Sequence, residues 1–491
     1  MVHPRRLAAV VSLLFIPCML AAKTPKNPKP SEEIRQHIAR IISCLPTPVR
    51  VKGDTTPCPT LAEQMRELHV LGVSIAVEHG GVLEWAQGFG VVQIGVQPVT
   101  PETLFQAGSI SKPLAAMAAL HLVQEGKLSL DTDVNTQLTS WKVPASAAAP
   151  AAIVTLRELL THTAGFTVHG FPGYAAGASV PTLVQVLDGV SPANTPPIRL
   201  EALPGARWQY SGGGYTVMQQ LVLDVAKEPF PQLLHDTVLA PIGMTHSTYE
   251  QPLPAALQAD AAKPYTINGE PVPGGAHTYP EMAAAGLWTT PSDLVKYIIE
   301  VQQSLDGKAN HVLNRELTQQ MLTAGKGNWG LGLEIGGSAD DPHFSHGGVN
   351  EGFESDFVGF EHDGEGAAVM TNAQGGTRLA EAIMRSIAVE YRWPDFLPIE
   401  RTQVHVDPAI LARYTGTYEF GPHVDVVLEV QDGRLMGSDP TGVKRALYPE
   451  SETKFFQKDS SAEFEFFPDD KGKVSYLIVH YEGHDRKVMK K

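Results

Sequence analysis

The chain has 491 residues, a formal charge of −15 at pH 7 and a hydrophobic fraction of 43%. This length allows two or three domains, and the apolar fraction excludes general disorder. The excess of acidic residues argues against a protein that binds nucleic acid by neutralising phosphates. Beyond the N-terminal segment the sequence has no uninterrupted run of eighteen apolar residues, which excludes a polytopic membrane protein.

The N-terminal segment predicts export from the cytoplasm. Arg5 and Arg6 precede an apolar run from Leu7 to Leu20, and two alanines then supply small residues for cleavage. This order is typical of a secretory signal peptide, here residues 1–22, and an uncleaved anchor is the alternative. We therefore expect a secreted or periplasmic protein with no stable membrane span after cleavage.

Cys44 and Cys58 are the two cysteines that remain after this segment. In an oxidising compartment such a pair predicts a disulfide, and two free thiols are the alternative. Closing the loop between them would stabilise the fold by about 3 kcal/mol. We expect neither cysteine to be catalytic, because prolines flank Cys58 and no helix begins directly after it.

The predicted elements begin in a leader over residues 23–45, where Ser31 could cap a short helix from Glu32 to Ile42. A helix is then predicted from about Ser109 to Glu125, where a glycine stops it. Alternation of apolar and polar residues predicts strands, and the 3.6-residue period predicts further helices. In the region 46–391 these are strands at 72–77, 82–86, 330–335, 353–360 and 367–371 and helices at 155–161, 215–226 and 378–391.

The C-terminal part differs in character. Prolines predict a linker over residues 392–404, and the remainder, 405–491, is almost purely β-like, with strands at 424–430, 463–466 and 474–481. Strands at both ends of the region 46–391, with helices between them, predict one antiparallel sheet covered by helices rather than βαβ units. The predicted fold class is therefore α+β, followed by a small antiparallel β domain.

The first motif with chemical potential places a serine and a lysine one helical turn apart. Ser109 and Lys112 can meet on one face of the predicted helix, with Ser109 at its N-terminus, where free backbone N–H groups favour negative charge. An amine desolvated among the apolar residues that follow could be neutral and accept the hydroxyl proton. Ser111, at the neighbouring position, points elsewhere. A capping serine followed by a surface lysine is the alternative.

The second motif is Tyr210-Ser211-Gly212, followed by two more glycines that let a ligand approach the backbone closely. A tyrosine beside a lysine can be held as a phenolate, or as a strongly polarised hydroxyl, because the cation stabilises the charged form. The alternative is a tyrosine that only packs against its neighbours.

The third motif is His346-Gly347-Gly348 in a predicted strand. The two glycines remove side chains from one edge, which lets an extended substrate pair with the backbone. His346 would then provide a polar contact to a carboxylate or to a leaving group. A structural histidine is the alternative.

In this order, the three motifs resemble those of the superfamily of serine β-lactamases and penicillin-binding proteins. The chain is most similar to the class C branch with its D,D-peptidase and esterase relatives, and the segments 155–165 and 239–244 also resemble that branch. The resemblance spans roughly residues 60–390. It implies flanking helices on the central sheet and an all-helical subdomain. The C-terminal region resembles the small β-barrel-like domain appended to many such hydrolases.

The resemblance also implies a two-step acyl transfer without a metal or an organic cofactor, on a small molecule or peptide with a reactive carbonyl. Ser109 would attack the carbonyl, and Lys112 and Tyr210 would share the proton transfers. Backbone N–H groups of Ser109 and Val349 would hold the oxyanion. His346 would orient Tyr210 or the substrate.

Two positions depart from the pattern of the resemblance. Gly212 stands where an amide side chain usually contacts the acyl amide of the substrate, and His346 replaces the lysine of true β-lactamases. Both changes favour an esterase or a peptidase over an efficient β-lactamase. His162, in the first resembling segment, is expected to be structural, near a helix end where a cation suits the dipole.

Other classes of protein fit less well. A non-catalytic penicillin-recognising or cell-wall-binding protein that uses the same pocket is the alternative function. A metallohydrolase is disfavoured because the histidines do not recur at ligand spacing. An α/β-hydrolase is disfavoured because the sequence contains no Gly-x-Ser-x-Gly elbow. The oligomeric state stays open.

Overall fold

The structure, a computed structural model, describes residues 31–421, 424–481 and 484–491. The predicted signal peptide and the first part of the predicted leader lie outside the described residues. The helices are α1 Glu32–Ser43, α2 Leu61–Glu67, α3 Ser111–Gln124, α4 Leu156–Leu160, α5 Leu183–Asp188, α6 Gly212–Ala226, α7 Phe230–Leu234, α8 Ala240–Ile242, α9 Met282–Ala285, α10 Pro291–Leu305, α11 Arg315–Met321, α12 Gly376–Tyr391 and α13 Pro408–Tyr414. The strands are β1 Val49–Val51, β2 Gly72–His79, β3 Val82–Gly90, β4 Phe105–Gln106, β5 Trp288–Thr289, β6 Glu334–Gly337, β7 Pro342–Asn350, β8 Phe353–Phe360, β9 Gly366–Thr371, β10 Ile399–Arg401, β11 Gly416–Gly421, β12 Val424–Gln431, β13 Arg434–Ser438, β14 Lys444–Pro449, β15 Lys454–Phe456, β16 Glu463–Pro468, β17 Val474–Tyr481 and β18 His484–Lys490.

The central sheet has six strands in the order β3-β2-β9-β8-β7-β6, and all neighbouring strands are antiparallel. Strand β2 is buried on both faces, because its side chains alternate between two apolar layers. Val73, Ile75 and Val77 pack with residues of α1 and α12 on one face, and Ala76 joins the larger core on the other. The predicted α+β fold with one antiparallel sheet between helices is confirmed.

The region between β3 and β6 is predominantly helical and contains α3 to α11. Helix α3 is almost wholly buried, because its side chains are apolar on all sides. Thr155 caps α4 at the predicted helix, where its hydroxyl accepts from the backbone of Glu158 and the Glu158 carboxylate accepts from the backbone of Thr155. Helix α10 of this region packs across β2, β3, β8 and β9, whereas the residues just before α3 pack against β7. The region also contains the short antiparallel pair β4–β5.

The predicted strand at residues 330–335 is wrong in its first part. Leu331 and Leu333 are buried in the core, but the chain bends there, and β6 begins at Glu334. The bend arises because Gly332 has a φ of +104°, which side-chain-bearing residues rarely adopt, and because Gly330 lies close against the carbonyl of Met321. The alternation of apolar residues therefore came from a buried turn rather than from a strand.

The C-terminal strands β11 to β18 close into an eight-stranded barrel in chain order. Its core contains Tyr418, Leu447, Phe466 and Leu477, together with Tyr414 of α13. Strand β10, within the predicted linker, pairs in parallel with β1 of the N-terminal segment. The barrel is thus connected to the region 46–391 through the pairing of β10 with β1 as well as through the chain itself.

Cys44 and Cys58 are disulfide-bonded in the structure, and their Cα atoms are 5.1 Å apart. The bond joins the end of α1 to the segment that precedes α2, and the backbone nitrogen of Leu45 donates to the carbonyl of Pro59 beside it. Within the described part of the chain, none of the helices is both long and apolar enough to cross a membrane.

Candidate active site

Ser109 lies in a single 3₁₀ turn that directly precedes α3. Gly108 in this turn has a φ of +53°, and a Cβ there would lie 2.5 Å from the backbone nitrogen of Val349 in β7. Gly348 has no room for a Cβ either, because the carbonyl of Ala107 lies against it. The two glycines therefore let the serine turn pack directly against β7, which brings Ser109 to an edge of the sheet.

Lys112 is buried in α3, one turn after Ser109. Its Nζ lies 2.9 Å from the Oγ of Ser109 and 2.9 Å from the carbonyl oxygen of Ala284. The same nitrogen lies over the rings of Tyr210 and Tyr215, at 4.9 and 5.7 Å from their centroids. Burial lowers the pKa of Lys112 to about 7, so the amine is neutral in a large share of the molecules at neutral pH.

Tyr210 is partly buried just before α6, and its phenol hydrogen-bonds with Ser109. Burial raises the pKa of Tyr210 above its ordinary value, and the hydrogen bond with Ser109 lowers it by less. Lys112 lies over the ring of Tyr210 and is not among the causes that shift the pKa of this phenol. Of the two forms that the sequence left open, the structure favours the protonated hydroxyl, because burial disfavours the charged phenolate.

His346 lies in β7 and is buried, with its ring near that of Tyr210. Its Nδ1 donates to the carbonyl of Gly347 at 2.5 Å, and its buried Nε2 has no hydrogen-bond partner among the described residues. Burial, followed by the nearby Lys112, lowers the pKa of His346 to about 3. His346 is thus neutral, and its ring lies 6.2 Å from that of Tyr210, so it offers packing and an acceptor nitrogen rather than a positive charge.

His162 is also neutral, which corrects the expectation of a cation at a helix end. Burial first, and then the nearby Lys112 and His346, lower its pKa well below the ordinary value. Its Nδ1 accepts from the backbone nitrogen of Ser211, and its ring packs 4.2 Å from that of Tyr210. A cation would cost free energy here because the ring is buried and its Nε2 has no hydrogen-bond partner among the described residues. His162 therefore holds the ring of Tyr210 in position.

The edge of β7 near the serine turn is open to a substrate. Strand β6 pairs only with the first half of β7, so the second half has β8 on one side and no strand on the other within the described residues. Gly347 and Val349 are exposed along this edge. The backbone nitrogen of Val349 lies beside Gly108, the residue before Ser109. This is the neighbourhood in which an oxyanion-binding N–H group is needed.

Gly212 is the first residue of α6 and is buried, so it does not line an open part of the site. A Cβ at this position would lie 2.9 Å from the ring of Phe171 and 3.3 Å from the carbonyl oxygen of His169. The ring of Phe171 therefore occupies the space in which the resemblance expects an amide side chain.

The structure brings Ser109, Lys112, Tyr210 and His346 together, whereas motif reasoning missed several of their neighbours. The carbonyl of Ala284 accepts from Lys112. The ring of Trp329 lies 5.1 to 5.8 Å from the rings of His162, His346 and Tyr210 and fixes their packing. The spacing of residues gives no signal for these contacts, because their segments reach the site only through folding. The hydroxyl of Ser111 does not join these four side chains, as expected: it donates to the carbonyl of Gly108 and accepts from the backbone nitrogen of Leu287.

Metal ligation finds no support in the side-chain arrangement. Across residues 31–421, 424–481 and 484–491, no group of three or more His, Cys, Asp or Glu side chains is arranged to hold a metal ion. Cavities of about 570 and 760 Å³ lie where the N-terminal segment meets the barrel, and they contain none of the predicted catalytic side chains.

The fold, together with a serine, a buried amine and a phenol in mutual contact, defines a serine hydrolase that acts through a covalent acyl-enzyme. The sequence profile of the family described as Beta-lactamase matches residues 59–390. The chain therefore belongs to the Beta-lactamase family. A second profile, described as a domain of unknown function (DUF3471), matches residues 400–490 and so covers the barrel.

Three known proteins illustrate these similarities. Esterase EstB of Burkholderia gladioli is 31% identical over 196 residues, which are 37% of this chain and 48% of that protein. A Beta-lactamase of Pseudomonas fluorescens is 27% identical over 256 residues, or 51% of this chain and 64% of that protein. The solved octameric penicillin-binding protein homologue from Pyrococcus abyssi aligns with a TM-score of 0.56 and 22% identity over 87% of this chain and 98% of its own, a likeness that concerns the fold alone.

Proposed function

We propose that this protein is an exported hydrolase that cleaves neutral carboxylic esters through an acyl-enzyme on Ser109. The observation that carries the proposal is the 2.9 Å distance between the buried amine of Lys112 and the hydroxyl of Ser109. An amine with a pKa of about 7 can take the hydroxyl proton at neutral pH, and this makes the serine a nucleophile.

Acylation begins with Lys112 in its neutral form. The proton of Ser109 moves to Nζ of Lys112 while Oγ forms a bond to the substrate carbonyl carbon. The carbonyl oxygen becomes an oxyanion, held by the backbone N–H groups of Ser109 and Val349. Tyr210, which carries its proton, donates it to the leaving alcohol as the carbon–oxygen bond breaks, and Lys112 returns its proton to Tyr210.

Deacylation uses the same groups in the reverse order. Water takes the position of the departed alcohol and loses a proton to the Lys112–Tyr210 pair as its oxygen attacks the acyl carbon. The second oxyanion occupies the same pair of backbone donors. Collapse of this intermediate releases the carboxylic acid and returns the proton to Ser109.

The preference for a neutral ester follows from the charge of the site. His346 has a pKa of about 3 and supplies no cation to the carboxylate that penicillins carry and that peptides carry at their C-terminus. The similarity to a protein named Esterase EstB supports the same choice.

Export is part of the proposal and rests on the sequence of residues 1–22. The disulfide between Cys44 and Cys58 supports it, since such bonds persist in oxidising compartments such as the periplasm or the medium. N-terminal sequencing of the protein recovered from culture medium and from periplasm tests this part directly. An intact N-terminus in a cytoplasmic fraction would exclude export.

The catalytic part is tested by intact-mass measurement and steady-state rates with p-nitrophenyl pentanoate and with benzylpenicillin. We expect a transient acyl adduct on Ser109 with the ester, multiple turnovers, and loss of both in Ser109→Ala. Ser111→Ala is the matched control, since its hydroxyl lies in the same turn but donates to the carbonyl of Gly108. An adduct with benzylpenicillin that never decays, without ester turnover, would instead identify a penicillin-recognising protein.

A further inference from the structure

The segment 167–171 lies alongside the start of α6 and exchanges hydrogen bonds with it. The backbone nitrogens of Gly212 and Gly213 donate to the carbonyls of His169 and Val168, at 3.3 and 2.8 Å. In return, Nδ1 of His169 donates to the carbonyl of Tyr210 at 2.6 Å. The donors of these three pairs are thus all engaged within the protein, and none of them is left to bind a carbonyl oxygen of a substrate.

Phe171 completes this side of the site with an apolar ring. A Cβ at Gly212 would lie 2.9 Å from the Cε2 atom of the ring, whereas the nearest backbone atom, the carbonyl oxygen of His169, would lie at 3.3 Å. The ring is therefore the main obstacle to a side chain at position 212. The ring of Phe171 occupies the space that a side chain at position 212 would need. A larger residue at position 212 therefore requires a smaller one at position 171.

The ring of Phe171 also lines a cleft of about 390 Å³ beside the open edge of β7. Val349 and Ile267 line this cleft, and both are unusually exposed for aliphatic residues, at 60% and 52%. Glu351 and Glu354 add two carboxylates to the lining. Two amide side chains also line the cleft and already donate to other groups of the protein, those of Asn350 and Gln374. An apolar group extending from the carbonyl at Ser109 would find a ring and two aliphatic side chains, whereas an anionic group would meet like charge.

We propose that Phe171 is a specificity-determining residue that restricts the substrate to esters with a neutral, apolar acyl group. The inference rests on the proposed function and narrows its substrate class. The ring and the engaged donors offer the carbonyl oxygen of an acyl amide no hydrogen-bond donor on this wall, so burying such an amide here would cost free energy. An alkyl acyl chain of four or five carbons would instead pack on the ring of Phe171. Both apolar surfaces would then be removed from water, which favours binding.

Three p-nitrophenyl esters with acyl chains of equal length test the proposal: the pentanoate, the N-acetylglycinate and the glutarate hemiester. Each kcat/KM is divided by the rate constant of the same ester with hydroxide, which removes differences in intrinsic reactivity. We expect the pentanoate to exceed each of the other two by about tenfold or more, the range that one mismatched group produces in an apolar pocket.

Variants then assign the preference to Phe171. Phe171→Ala should reduce the ratio of pentanoate to N-acetylglycinate by about tenfold, and Phe171→Leu should retain most of it. Gly212→Asn alone should lower kcat/KM for all three esters because its side chain meets the ring. Gly212→Asn with Phe171→Ala should recover activity and favour the N-acetylglycinate. Phe420→Ala, a partly buried phenylalanine of the barrel, is the matched control and should leave the ratios unchanged.

Ratios between substrates do not depend on the fraction of correctly folded enzyme, so partial misfolding cannot imitate the effect. An unchanged ratio in Phe171→Ala, or a wild-type preference for the N-acetylglycinate, would overturn the inference while leaving the proposed function in place. Absence of any Ser109-dependent ester hydrolysis would overturn the proposed function itself.

Discussion

The Nζ atom of Lys112 lies 2.9 Å from the Oγ of Ser109, and no carboxylate of the described residues is among the causes that shift its pKa. The titratable side chains that face the amine from other elements are Tyr210, Tyr215, His162 and His346, and all four are neutral at pH 7. Burial lowers the pKa of Lys112 to about 7, and no carboxylate restores it. The state of this one amine therefore governs both reactivity and stability.

The pH dependence of catalysis should report Lys112. Below a pH of about 7 the amine is protonated and cannot accept the proton of Ser109, so kcat/KM for a p-nitrophenyl ester should fall about tenfold for each pH unit. His346, with a pKa of about 3, and His162 stay neutral across this range and should contribute nothing. Rates measured between pH 5 and pH 9 check this expectation. The assignment to Lys112 would be contradicted if the residual kcat/KM of a Lys112→Met variant fell in the same way below pH 7.

The same pKa shift has a consequence for stability. In the unfolded chain Lys112 has its ordinary pKa of 10.5, and in the folded protein a pKa of about 7. Between these values the unfolded state binds the extra proton, so this group makes the free energy of unfolding rise with pH and makes it fall as the pH decreases toward 7. Lys112→Met should remove this contribution. Urea unfolding of both proteins at pH 7 and pH 9.5 should show a larger gain with pH for the wild type.

Tyr210 should matter for chemistry and little for stability. Tyr210→Phe removes the proton donor but keeps the ring that packs on His162, so we expect kcat to fall about a hundredfold. Tyr215→Phe is the matched control, because Tyr215 also lies under Lys112 but donates to the carbonyl of Leu160. That variant should lose about 1 kcal/mol of stability and keep most of its kcat. Equal effects on kcat in both variants would contradict the role given to Tyr210.

Two adjacent glycines of β7 should respond differently to the same change. Gly348→Ala places a Cβ against the carbonyl of Ala107, so the turn that carries Ser109 must move. We expect a loss of about 2 kcal/mol in the free energy of unfolding and a tenfold or larger loss of kcat. Gly347→Ala places its Cβ 3.9 Å from the carbonyl oxygen of Ser355, an ordinary contact, and should change stability by less than about 0.5 kcal/mol. Thermal unfolding and ester rates on the pair decide the matter.

The disulfide should stabilise the fold without tuning the site. Replacing both Cys44 and Cys58 with serine should lower the free energy of unfolding by about 3 kcal/mol, because the unfolded chain regains the freedom of the open loop. The kcat of the folded variant should equal that of the wild type, since neither cysteine approaches Ser109. Urea titration with and without a reductant provides the measurement, and the reduced wild type should match the variant.

The spacing of apolar residues predicted helices and strands well where it followed either the helical or the strand period throughout a segment. Strand β8 lies at the predicted residues 353–360, and α12 begins only two residues before the predicted 378. The strand predicted at 330–335 failed because Gly332 turns a buried apolar segment whose alternation resembled a strand. The order of the strands was beyond such patterns, because β2 pairs with β9 across some three hundred residues of chain.

The sequence by itself determined that Ser109 and Lys112 face each other, because a spacing of three residues puts two side chains on one side of a helix. Only the tertiary structure decided the protonation of the site, because desolvation depends on every atom that surrounds a group. Folding lowered the pKa of Lys112 to about 7, kept the proton on Tyr210 and kept the rings of His162 and His346 neutral. It also brought the ring of Phe171 against Gly212, a contact between segments about forty residues apart that no local pattern encodes.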